Sequence, residues 1–255
     1  MSDLPVTPSF RLDGKRALVT GASRGIGMGA AVALATAGAE VVAAARSADD
    51  LEKLCETLTS AGCQARALTL DVSDVETTRS LIAAEGPFDI LVNNAGVNRP
   101  GPMVDVTTED FDFIMGVNVR SAYFVAQTVL LGMIDAGKGG SIINTSSQMG
   151  LVGGIDRTVY CASKWGIEGL TRALAVESGK HNIRVNTICP TFVRTPLTEP
   201  TFANPERVKW IEDKIELGRI AEIEDMMGPV VFLASEAAAM ITGTSLVVDG
   251  GWTAS

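Results

Sequence analysis

Thr20-Gly21-Ala22-Ser23-Arg24-Gly25-Ile26-Gly27 is the stretch on which the fold turns. An apolar run, Arg16–Thr20, leads into it, and an alanine-rich stretch, Ile26–Ala37, leaves it and stops at Gly38. A strand, a glycine loop and a helix start in that order bring backbone N–H groups and a helix N-terminus onto a nucleotide pyrophosphate. Glycine suits the loop because a side chain would block the phosphates, or the approach of the helix to the sheet. The spacing G-x-x-x-G-x-G differs from the common G-x-G-x-x-G, and a plain glycine-rich turn would use the same residues. Its place after the first apolar run, with a βαβ pattern behind it, favours the nucleotide loop.

Outward from the loop, apolar runs alternate with amphipathic stretches. Strands are expected at Glu40–Ala44, Gln64–Leu70, Phe88–Val92, Ser141–Asn144, Ile183–Ile188 and Ser245–Val248. Helices are expected at Asp49–Ser60, from the cap Asp74 towards Ala84, and at Glu109–Ala136, Val159–Gly179, Pro205–Glu216 and Ile223–Ser235. This alternation implies crossover connections and a parallel sheet covered on both faces. The expected fold class is therefore α/β, a single doubly wound Rossmann-like domain over residues 14–255. Residues 1–13 form an N-terminal extension, and a substrate loop and helix are inserted around 196–216.

Composition narrows the function classes. The net charge of −9 opposes nucleic acid or an anionic membrane surface as partner, because both call for basic patches. Cys55, Cys63, Cys161 and Cys189 are widely spaced with no C-x-x-C pair, which reads as reduced thiols rather than a disulfide framework. A single histidine, His181, disfavours a histidine-based metal site or a Ser-His-Asp triad, so no metal is expected. No secretory signal is read in Met1–Lys15, and no apolar run approaches the roughly 18 residues of a membrane span. A cytoplasmic location is the expectation.

The end of the second strand, Val42-Ala43-Ala44-Ala45-Arg46, lacks the acid that usually binds an NAD ribose. Arg46 and the loop's Arg24 can clamp a 2′-phosphate instead, which favours NADP; ordinary solvated arginines are the alternative. Asp49 and Asp50 follow and could serve a ribose, so NAD stays open. Asp71 can accept from an adenine amino group or cap a turn. Asn93-Asn94-Ala95-Gly96 sits at the end of the fourth strand, facing the crevice where a ligand would lie.

Tyr160 and Lys164 are four residues apart on a predicted helix, hence on one face. A nearby ammonium favours phenolate and would lower a pKa that is otherwise about 10, making the pair a plausible general acid/base. Ser147, at the end of the fifth strand, can hydrogen-bond a substrate oxygen and stabilise charge developing there. Ser146 is its rival, and the thirteen-residue spacing to Tyr160 decides for Ser147. Asn118 lies mid-helix among apolar residues, and a buried amide there needs partners.

Together, Thr20–Gly27, Asn93–Gly96, Ser147, Tyr160-x-x-x-Lys164 and the Asn186…Pro190 segment resemble the short-chain dehydrogenase/reductase family in its classical form, over residues 14–251. The resemblance implies a sheet of order 3-2-1-4-5-6-7 and a tetrad of Asn118, Ser147, Tyr160 and Lys164. Asn118 would hold a water in a proton relay to Lys164, and Lys164 would lower the Tyr160 pKa and bond the nicotinamide ribose. It further implies a cofactor site formed by Gly21, Ser23, Arg24, Gly25, Ile26, Gly27, Arg46, Asp71, Val72, Asn94, Ala95, Gly96, Tyr160, Lys164, Pro190, Val193 and Thr195. Thr191 stands where the family usually has glycine. Packing of the two long helices across subunits implies a homotetramer, with Asp249-Gly250-Gly251-Trp252 near another interface.

The implied activity is hydride transfer between NADP or NAD and a carbonyl or secondary alcohol, with Ser147, Met149 and Tyr160 against a small-molecule substrate. The substrate's class stays open among a 3-oxoacyl thioester, a sugar or polyol, and a cyclic alcohol. Met149, Leu151, Val152 and Leu197–Trp210 can line an apolar pocket. Arg99, Arg157 and Arg194 can meet a carboxylate or polyol, at least two of them being read as ordinary surface charges. A cofactor-binding scaffold or sensor without turnover is the reading from another class.

Overall fold

The computed structural model describes residues 4–254. Seven strands form one parallel sheet: β1 (Arg16–Thr20), β2 (Glu40–Ala45), β3 (Ala65–Thr69), β4 (Ile90–Asn93), β5 (Gly140–Thr145), β6 (Ile183–Pro190) and β7 (Ser245–Val248), ordered β3-β2-β1-β4-β5-β6-β7. The order matches the expectation. Strand order reverses between β1 and its two neighbours, β2 and β4. That reversal opens a crevice beyond the carboxyl ends of the strands, which is where ligands of such sheets bind.

Alternate residues of each strand feed two cores. Ala17 and Val19 of β1, Val41 and Ala43 of β2, and Val92 of β4 pack with Leu34 of α1 (Gly25–Thr36), Leu51 and Leu58 of α2 (Ala48–Ser60), and Val230 and Leu233 of α9 (Ile223–Ala234). Leu18, Val42, Leu91, Ile142 and Val185 face the other way. They pack on Ile82 of α3 (Val75–Glu85), Val125 and Val129 of α5 (Ala122–Ala136), and Ala175 of α6 (Thr158–Ser178). Asp74 caps α3 as expected, accepting from the Thr77 N–H.

Two expected helices differ in detail. Glu109–Ala136 is one helical path, but it divides into α4 (Thr108–Met115), a π-helical turn at Gly116–Ser121, and α5. The Ser121 hydroxyl donates to the Gly116 and Val117 carbonyls, at 3.0 and 2.6 Å, within the wider turn. The helix expected to reach Glu216 is a short α7 (Glu199–Phe202) followed by α8 (Pro205–Glu212). Asn204 caps α8 with bonds to Glu206 and Arg207. Past Glu212 the chain tightens: Lys214 and Ile215 bond three residues back, and Ile215 turns into a third apolar cluster.

The path Thr108–Ala136 is long and apolar enough, by length and composition, to cross a membrane, with mean hydropathy 1.2. Sequence inspection found no such run because Asn118 and Arg120 interrupt it. In this fold its buried side chains join the core beneath the sheet.

Candidate functional site

The glycine loop joins β1 to α1 and opens on the crevice. Gly21 adopts φ +66°, and a Cβ at Gly27 would overlap the Gly21 carbonyl oxygen, so neither tolerates a side chain without movement. No side chain caps α1, and its first turn carries no acid, which leaves that helix start suited to an anion. Across the loop lies the segment after β6: a Cβ on Gly25 would reach Thr195 at 3.3 Å. Loop, helix start and Thr195 thus form the two sides of a cradle that fits a dinucleotide's phosphates. Asn94 fixes the loop to β4, its side-chain amide donating to the Thr20 carbonyl at 3.1 Å. The Asn94 and Ala95 N–H groups both donate to the Thr20 hydroxyl.

Ser23 is half-buried, Arg24 and Arg46 are exposed, and no carboxylate follows β2 in their place. Arg46 lies 3.9 Å from Asp71. Asp71 itself accepts from the Ser73 N–H and hydroxyl at 2.9 and 2.7 Å, closing a turn, so the capping alternative describes its free-protein role. Val72 packs at the edge of the lower core. Beyond β6, the Val193 carbonyl accepts from the Thr198 hydroxyl at 2.5 Å, and the Thr195 and Thr198 hydroxyls lie 3.1 Å apart. Pro190 ends β6, and Thr191, at the position where the family usually has glycine, buries a hydroxyl with no partner among the described residues.

The four residues of the expected tetrad converge at the ends of β4 and β5. Lys164, 5% exposed, donates from Nζ to the Thr145 carbonyl at 2.8 Å. A Cβ added at Gly96 would lie 3.4 Å from Asn118 Oδ1 and 3.7 Å from Lys164 Nζ, which places all three around one point. Ser147 follows β5 on the side of the Tyr160 hydroxyl, where it acts to lower the phenol's pKa, and its hydroxyl oxygen accepts from the Met149 N–H. Ser146 turns the other way, into the protein beside Cys189. The choice between the two serines is therefore also a choice of face.

Two expectations change here. Tyr160 is not brought below its ordinary pKa: burial pushes it up to about 12, opposed by the Ser147 hydrogen bond and the Arg157 charge. Lys164, its Nζ 5.5 Å from the ring centroid, is not among these influences, because a lysine that loses its proton near 8 is uncharged where a phenol of about 12 ionises. Burial also lowers Lys164 to about 8, against the pull of Cys189 and Glu168. The Asn118 side chain acts as a brace. Its oxygen accepts from the Val97 N–H at 2.8 Å, and its nitrogen donates to the Val97 carbonyl and the Ser163 hydroxyl.

The insertion roofs this site. Met149, Phe192, Ile211 and Ile215 form an apolar cluster against which Tyr160, Cys161, Phe202 and Trp252 pack. Trp252 meets Trp210 edge-on, with centroids 5.5 Å apart, so the Asp249–Trp252 segment braces α8 from within this chain. Of the three arginines singled out, Arg99 pairs with Asp110 at 2.6 Å and Arg194 with Glu222 at 3.2 Å. Arg157 is buried and pairs with no acid among the described residues. Sequence reasoning missed Glu168, 1% exposed, which accepts from the Cys189 thiol and the Ser245 hydroxyl beneath Lys164. Only its i+4 spacing from Lys164 could have signalled it.

Known proteins agree with this architecture. Residues 21–253 match a family model described as enoyl-(acyl carrier protein) reductase. L-xylulose reductase of Bos taurus is 41% identical over 96% of this chain and 99% of that protein. D-threitol dehydrogenase of Mycolicibacterium smegmatis is 42% identical over 98% and 97%. A crystal structure of a gluconate 5-dehydrogenase from Burkholderia cenocepacia J2315, in complex with NADP and tartrate, superposes with a TM-score of 0.93 at 33% identity, covering 96% of this chain and 98% of that one. Likeness of this extent, on a sheet of this order and with these residues at the strand ends, makes the chain a member of the classical short-chain dehydrogenase/reductase family, and an oxidoreductase acting on CH–OH groups.

Proposed function

We propose that the protein is an NADP-dependent dehydrogenase of sugars or polyols, interconverting a secondary alcohol and its ketone. One observation carries the reading: Tyr160, with Ser147 on its hydroxyl side and Lys164 Nζ 5.5 Å from its ring centroid, stands beside a cradle suited to a dinucleotide. When bound, the nicotinamide supplies or accepts the hydride. Ser147 holds the substrate oxygen, and Tyr160 gives it a proton during reduction or removes one during oxidation. Lys164 is placed to bond the ribose and to stabilise charge as the phenol loses its proton. Arg24 and Arg46, exposed where an acid would favour NAD, support NADP. Among the substrate classes left open, the relatives' names favour sugars and polyols. The protein works as a cytoplasmic homotetramer in this reading.

The test follows nicotinamide absorbance with L-xylulose, D-threitol and D-gluconate, using both cofactors. Wild type is expected to turn over at least one of them. Tyr160→Phe is expected to lose about a thousandfold or more while still binding NADPH. Wild type and Tyr160→Phe equally inert across such a panel would sink the reading.

A further inference from the structure

We propose that Glu168 is a positioning residue of the reaction, a buried carboxylate that serves as the countercharge of Lys164. The inference rests on the reading in which Lys164 bonds the nicotinamide ribose and assists Tyr160. Glu168 stands four residues beyond Lys164 on α6, and the two are 1% and 5% exposed. Residues so spaced share a helix face, and side chains on a helix lean towards its N-terminus. Glu168 accordingly folds back on the turn that carries Lys164. A Cβ added at Gly150 would meet the Lys164 carbonyl oxygen at 3.1 Å and Glu168 Cγ at 3.2 Å, so both border one point.

Among the described residues, the polar partners of this carboxylate are donors. Oε1 accepts from the Cys189 thiol at 3.3 Å, and Oε2 accepts from the Ser245 hydroxyl at 2.5 Å. Arg172 Nη2 lies 3.7 Å from Oε2, its side chain half-exposed. The Thr187 hydroxyl, 3.4 Å from the Cys189 sulfur, can donate to the thiol as the thiol donates to Glu168. Such a setting leaves the buried acid hydrogen-bonded rather than stranded. The strands tie it to the site. Lys164 Nζ donates to the Thr145 carbonyl at 2.8 Å, Thr145 of β5 pairs with Ile188 of β6, and the next residue, Cys189, bonds Glu168. Ammonium and carboxylate are thus docked at adjoining strand ends.

Other charges do not fill this role. Lys164 faces Tyr160 and Glu168 from its own helix and Cys189 from β6, while the π-helical turn brings the neutral Asn118. Burial pushes the Cys189 thiol up to about 12, and Tyr160 stands equally high, so neither is charged where Lys164 titrates. Glu168 is left to oppose the burial that lowers Lys164 to about 8. A buried ammonium without a countercharge sheds its proton more readily still, and with it the help it gives to ribose and phenol.

NADPH binding to the intact protein tests this without turnover. The Kd is followed by nucleotide fluorescence from about pH 7 to about pH 10, above the titration of a phosphate at about 6. In wild type it should rise about threefold or more, with a midpoint near pH 8, as Lys164 loses its proton. A nearby carboxylate favours the charged amine, so Glu168→Gln should move that midpoint down by about half a pH unit or more. Arg172→Gln removes the guanidinium that shares the carboxylate, and should move it up by about 0.3 unit. Glu168→Asp, which keeps the charge, should stay within about 0.3 unit of wild type. Shifts of opposite sign mark a countercharge, because mere loosening of the core would move both neutral variants the same way. The surface variant Arg172→Gln carries the test should Glu168→Gln fail to fold. A wild-type Kd that is flat over this range overturns the inference. So does a midpoint that the folded variants leave in place or move in one direction; the dehydrogenase reading then stands. If the protein binds neither NADPH nor NADH, that underlying reading falls and takes this inference with it.

Discussion

A phenol whose pKa stands at about 12 is protonated throughout the neutral range, so Tyr160 is set to donate. The group that titrates near working pH is Lys164, at about 8. Below that value its ammonium favours the charge that develops as Tyr160 gives up its proton, and above it that help is lost. The kcat/KM for ketone reduction should therefore be level below about pH 8 and fall above it. Lys164→Arg, which stays charged, should lose the alkaline limb even if it is slower overall; a limb that persists at the same pH in that variant defeats the assignment. Arg46 makes a separate prediction. Its exposed guanidinium lies near the half-exposed Asp71, with space for a phosphate to displace a weak surface contact. In Arg46→Ala, the NADPH Kd should rise about 10- to 100-fold while that for NADH changes by less than about threefold. Equal losses for the two cofactors would show that no 2′-phosphate is read there.

Among the elements, the glycine loop was legible because its requirement is compositional: Gly21 and Gly27 stand where only glycine fits, and the flanking runs betray their periods. The π-helical turn was not. Gly116-Val117-Asn118-Val119 carries the same apolar spacing whether a turn holds one residue more or fewer, so sequence showed one plain helix. Ile211 and Ile215 likewise keep helical spacing across the place where α8 ends, because both are needed in one apolar cluster. Contacts between distant segments leave no local trace at all. Glu168 beneath Lys164, bonded to Cys189, appears only once β6 is in place. The π turn also makes a prediction of its own. It aims Asn118 at Val97 and Ser163, so Asn118→Leu should leave the half-buried Val97 N–H and carbonyl without this partner and destabilise the fold by about 1–3 kcal/mol. A thermal midpoint equal to wild type would show that the brace carries no stability.

At the scale of the whole molecule, one face of the sheet is unevenly finished. Leu131 on α5 and Val176 on α6 are exposed there, with Phe111 on α4, Tyr123 on α5 and Trp165 on α6. Large apolar side chains exposed on adjoining helices mark a surface that other protein covers. A net charge of −9 disfavours close approach of identical chains, so association would have to be driven by apolar burial there. The homotetramer reading thus predicts a sedimenting species of four 26.7 kDa chains at micromolar concentration. Trp165 is a suitable point of attack: it sits one residue beyond Lys164 but points outward, half-exposed, away from the site. A carboxylate placed there would be buried unpaired on assembly, at a cost of several kcal/mol repeated in each copy. Trp165→Glu should therefore shift the protein to dimers or monomers while the chain stays folded by circular dichroism. A wild type that sediments as a monomer, or a variant that remains tetrameric, would place the contact elsewhere and leave these side chains without a partner.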